Sequence, residues 1–182
     1  MKTQLPIDEL NTLEQYLNVV WLSDNKPTEQ EVIDEVLDIL ILAYVYGTNC
    51  TNTQLNSEIT ITSGDMKKSI YKKTDNKTFE DRVREYVLSG TVNDVILVAD
   101  TEAHRIFNEG AFNCANNAQA KNKTWITMLD NAVRDTHIPL EGITIPINSE
   151  FVTWDGDRAL YPGGFSSAKN NCNCRCFLEF SY

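Results

Sequence analysis

Three of the chain's five cysteines stand two residues apart, as Cys172, Cys174 and Cys176 in the stretch NNCNCRCFLEFSY. Thiols so placed can ligate a metal, pair as disulfides, supply a nucleophile, or pack as small side chains on a strand. Geometry narrows the first two uses. Tetrahedral zinc holds each sulfur about 2.3 Å away, which sets sulfurs roughly 3.8 Å from one another. Alternate residues of an extended strand share a face but lie roughly 7 Å apart at their α-carbons. Two such cysteines share a metal only where the chain turns or bulges between them, and three in a row cannot. A disulfide across one residue is strained.

Any metal needs ligands from elsewhere, and the chain has two histidines. His104 falls in a long helical segment, where polar packing is the plain expectation. His137 ends the stretch DNAVRDTH, which reads as a short helix capped by Asp130. Asp130, Arg134 and His137 would then share one stripe. One reading is an Asp–Arg pair beside a packed histidine. The other is a polar cluster that meets the cysteines, giving a zinc site of His137, Cys174 and Cys176, with Asp130 or Cys172 as a further candidate. A nucleophilic Cys–His pair stays open too. The sequence holds no Walker loop, no G-x-S-x-G elbow and no H-E-x-x-H helix. YPGGF reads as a turn. The chain is therefore expected not to be an enzyme, with a transferase or hydrolase as the minority reading.

The elements that must position these groups follow from periodicity. Leu10, Leu13, Leu17, Val20 and Trp21 have helical spacing. A second helix opens near Pro27, with Glu29 and Glu31 at its positive end, an apolar stripe from Val32 to Tyr44, and Gly47 as its expected stop. The two make a helical hairpin, whose stripe either packs internally or docks on a partner. A Thr/Asn/Ser-rich linker follows, with a short strand expected at EITIT. KTFEDRVREYVLSG reads as a helix ended by Gly90, and the segment from Thr91 as a long helix in which Gly110 admits a close neighbour. Beyond Lys123 come β-like segments, KTWITML, ITIPI, EFVTW and RCFLEFSY, separated by turn residues. Helices first and strands later predict an α+β fold: N-terminal helices followed by a small antiparallel β-rich part.

The chain of 182 residues carries a net charge of −10 and a pI near 4.6, which opposes general nucleic-acid affinity. The one basic run holds Lys67, Lys68, Lys72, Lys73 and Lys77. A solvated helix face is its ordinary explanation, and a weak contact with DNA or an acidic partner the sharper one. The N-terminal stretch lacks the pattern of a signal peptide, and the longest apolar run is about half a membrane span, so no membrane anchor is expected. An odd number of cysteines without a secretion signal points to a reducing compartment.

From about residue 78 onward the order of motifs resembles the head morphogenesis proteins of tailed bacteriophages, typified by the Mu F-like domain. The carriers are Thr101 and Glu102 in ADTEAHRIFNEGA, Trp125, Asp130, Arg134 and His137 in KTWITMLDNAVRDTHIPLEG, Phe151 in SEFVTWDG, Pro162 and Gly163 in LYPGG, and Asn173, Cys174, Arg175 and Cys176 in NCRCFLEF. Cys172 is an addition to that closing motif. With the boundary that the Thr/Asn/Ser-rich linker suggests, the chain divides into residues 1–62, a hairpin and linker, and 63–182, a Mu F-like domain. The resemblance implies a structural minor head protein that assembles in the bacterial cytoplasm, resides in the virion head, and contacts a portal or inner capsid protein. Some longer relatives carry a toxin domain beyond the closing motif, which is not expected here.

Overall fold

The computed structural model describes residues 7–21, 26–74 and 76–182. The first residues of the expected hairpin and its connecting turn at 22–25 lie outside them. Five helices come first: α1 (Ile7–Val20), α2 (Glu29–Leu55), α3 (Ser63–Ile70), α4 (Phe79–Ser89) and α5 (Val92–Asn117). Then follow β1 (Asn122–Ile126), β2 (Thr144–Pro146), β3 (Phe151–Val152), β4 (Arg158–Ala159), a one-turn α6 (Ala168–Asn171) and β5 (Phe177–Ser181). The chain is α+β, as its residue pattern predicts.

Each long helix starts where its chemistry says. Thr28 and Glu31 form a reciprocal capping box at α2, as Thr78 and Asp81 do at α4. Asp94 receives the Thr91 N–H at 2.7 Å at the start of α5. Gly90 stops α4. Gly47 does not stop α2, which runs on to Leu55 and ends at left-handed Asn56. Gly47 serves packing instead. A Cβ there would lie 2.1 Å from the Phe107 carbonyl oxygen, and one on Gly110 would lie 2.7 Å from that of Tyr44. The two glycines let the backbones of α2 and α5 touch. Thr48 and Thr51, buried in this stretch of α2, satisfy their hydroxyls by bonding back one turn, to the carbonyls of Tyr44 and Gly47.

The hairpin's apolar stripe is spent inside the molecule. Leu13 and Leu17 of α1 join Val32, Val36 and Leu40 of α2, and Val95, Ala99 and Ile106 of α5, in one core. The expected EITIT strand does not form. The Asn52 side chain takes both the N–H and the carbonyl of Ile59 at 2.9 Å, replacing a strand partner.

The C-terminal part is a three-stranded antiparallel sheet in the order β2–β1–β5, beside a β3–β4 hairpin. The register sets Trp125 opposite Leu178 and Lys123 opposite Phe180, so these four face a second core with Phe112, Phe151 and Phe165. Alternation along β5 holds through Phe180, while Tyr182 beyond it is exposed. On the outer side of β5 the Phe180 N–H donates to Gln54 of α2. The opposite edge, β2, ends in Pro146.

DNAVRDTH is not a helix. It forms successive turns that lead into a single 3-10 turn at Ile138–Leu140. The Asp130 carboxylate accepts the N–H of Ala132 at 3.0 Å, a local bond that competes with helical pairing. The stripe of Asp130, Arg134 and His137 therefore does not exist, and Asp130 pairs with Arg175 at 2.7 Å in place of Arg134.

Candidate metal centre

The turns after β1 carry His137 inward, where it is 1% exposed. The chain opposite reaches it just before β5. Asn173 adopts a left-handed conformation, φ 54°, and the irregular segment that follows it carries Cys174 and Cys176 to the start of β5. Both sulfurs lie 3.6 Å from His137 Nδ1, and the three atoms fall within 4.8 Å of one another. The cysteines are 3% and 5% exposed. Cys172 is not part of the group; it lines a separate pocket with Arg82 and Glu102. Asp130 stays outside with Arg175, as a surface strap across the same turn.

Aromatic side chains wall the group. Trp125 stands edge-on to His137 with ring centres 5.4 Å apart, and Phe165 stacks on it at 5.4 Å. Phe151 supports Trp125 from behind at 5.0 Å. His137 Nε2 and the Trp125 indole nitrogen are buried without hydrogen-bond partners. The two thiols are tightly linked. A hydrogen bond from Cys176, reinforced by His137, holds Cys174 well below the usual thiol range. The same bond, with burial, pushes Cys176 far up, against opposing influences from Trp125 and Arg134. A nucleophilic Cys–His pair exists as geometry, but Cys174 offers almost no surface to a substrate.

The other motif residues fall into a second group on α5. Glu102 pairs with Arg105 at 2.7 Å and with Arg82. Arg105 also bonds Glu109 at 2.8 Å and the Ser69 carbonyl at 3.2 Å. The Pro162–Gly163 turn lies on this network: Gly163 has φ 84°, and a Cβ there would meet the Arg105 Cα at 2.9 Å. The Thr101 hydroxyl is buried beside it without a partner. Asn108 links the two groups, bridging its own helix to the Cys176 carbonyl at 3.1 Å. His104 packs on α5 near Asp100, as expected of a helical histidine. Arg105 and Glu109 escaped the sequence reading. Their signal was a charge pattern, Glu102, Arg105 and Glu109, inside an apolar helix. Lys123 was missed as well. Its position on the same face of β1 as Trp125 marks it as inward.

The chain matches the family model of the Phage Mu protein F like protein over residues 53–179. The match begins earlier than residue 78 and takes in the last turn of α2 and all of α3 and α4. Among characterised proteins, the minor head protein GP7 of Bacillus phage SPP1 is 36% identical over 87 residues, 46% of this chain. The matched stretch spans 28% of that relative's length. No solved structure matches significantly.

Proposed function

Because the chain belongs to the Phage Mu protein F like family, we propose that it is a structural minor head protein of a tailed bacteriophage or prophage. It acts in head assembly at or near the portal vertex, binding the portal or an inner capsid protein. It assembles in the host cytoplasm and stays in the head or leaves with the DNA. The observation that carries this reading is its 36% identity to a minor head protein.

The working surface is one of contact and not of turnover. Leu129, Trp154 and Leu88 are 78%, 72% and 74% exposed and supply apolar anchors of the kind interfaces use. No helix of the described residues is long and apolar enough to cross a membrane. Packaged DNA is a weaker partner. Lys67, Lys68, Lys72, Lys73 and Lys77 are all exposed, but Lys72 is engaged by Tyr161 and Lys77 by Glu85.

The test is co-expression with the portal protein of the same phage, followed by size-exclusion chromatography with light scattering. Co-elution at a fixed stoichiometry supports the vertex role. Separate elution of this chain as a stable monomer sinks the direct portal contact and moves the role to an inner capsid partner.

A further inference from the structure

We propose that His137, Cys174 and Cys176 bind one thiophilic divalent cation of the zinc class, through Nδ1 and the two sulfurs, with water in the fourth position. Distance is the first argument. Tetrahedral zinc with Zn–N near 2.0 Å and Zn–S near 2.3 Å requires N···S separations of roughly 3.5 Å. Both are 3.6 Å here. A histidine Nδ1 carries one lone pair or one proton, so a single hydrogen bond accounts for one sulfur at most. A cation between the three atoms accounts for both.

Charge is the second argument. Two thiolates, a neutral imidazole and a divalent cation sum to zero, which suits a group this deeply buried. Binding exchanges two thiol protons for the cation. Cys174 and Cys176 lie in an irregular segment just before β5, so the spacing of an extended strand, which would part a Cys-x-Cys pair, does not apply to them.

The fourth position follows from what surrounds the group. Among the described residues no fourth His, Cys, Asp or Glu joins the cluster. A cavity of about 10 Å³, bounded by Ala132, Val133 and Asn173, adjoins it. Such a space holds about one water. The site is a clamp between the loop after β1 and the start of β5, and its open position is reached from the surface.

The experiment uses the full chain, purified under reducing conditions, with elemental analysis and cobalt titration. About one metal per chain is expected, with thiolate-to-cobalt absorption. Cys172→Ser keeps both signals, while Cys174→Ser loses at least about tenfold in affinity. A wild-type chain that is folded by circular dichroism, metal-free and silent to cobalt overturns the proposal. Peptide mapping that finds Cys174 and Cys176 joined as a disulfide in that preparation overturns it equally. The wild-type measurements decide the matter even where Cys174→Ser does not fold, and neither depends on the portal experiment.

Discussion

The helical part and the sheet part are held by different means. Between α2 and α5 the contact is continuous, with backbone against backbone at Gly47 and Gly110 and aliphatic side chains along both flanks. In the C-terminal part no strand exceeds five residues, and order comes from specific side chains. Asn171 exchanges two bonds with Phe165. Asp157 gathers Ser166, Ser167 and Asn170; burial alone would raise its carboxyl, but those donors hold it at about 2. Thr136 bonds Asn170. Distributed burial tolerates many single changes, whereas a part built from a few specific contacts fails at each one.

The sharpest way to break this contrast is Trp125→Ala. Trp125 is fully buried and touches His137, Phe151 and Phe165, and its loss is expected to cost about 4 kcal/mol. Urea unfolding followed by both circular dichroism and cysteine accessibility reads the result. Coincident transitions mean the two parts unfold together, and separated ones mean the helices stand alone. Gly47→Ala comes next, at about 3 kcal/mol, because the new methyl meets backbone that cannot yield. A loss under about 0.5 kcal/mol would show that α2 and α5 slide freely, against the close contact described.

Lys123 offers a third test. It is buried, donates to the Leu160 carbonyl at 2.7 Å and lies over the rings of Phe112 and Phe151. Burial lowers it from 10.5 to about 8. Between those two values the unfolded chain binds the extra proton, so stability rises with pH across that window, and the burden is fullest below about 8. Lys123→Met should flatten the pH profile of the urea midpoint there. An unchanged slope would assign it to other groups. The smallest effect belongs to Thr78→Ala, which removes a helix cap at the cost of about 1 kcal/mol. A thermal melt should register it without loss of cooperativity.

Legibility in the sequence followed the same divide. The helices were readable because burial repeats every three or four residues, and Thr91 marked the start of α5. Gly47 misled because a glycine that ends a helix and one that admits a neighbour look alike without the neighbour. The strands were placed by residue type, yet DNAVRDTH was misread because one side-chain bond at Asp130 outweighed its helical pattern. The trio of His137, Cys174 and Cys176 was nameable from residue types. Its assembly was not, since it depends on the loop after β1 meeting the irregular segment just before β5. The buried pairing of Glu102 with Arg82 was likewise invisible, because the partners lie on different helices.

The sheet's borders have a consequence of their own. A small antiparallel sheet usually invites a foreign strand wherever a row of peptide groups is left unpaired. Here Pro146 brings no N–H to one border, and Gln54 occupies the Phe180 N–H on the other. Recruitment of another chain by strand addition is therefore disfavoured on both sides. Copies of this protein held at high local concentration find a poor template for strand stacking in this three-stranded sheet.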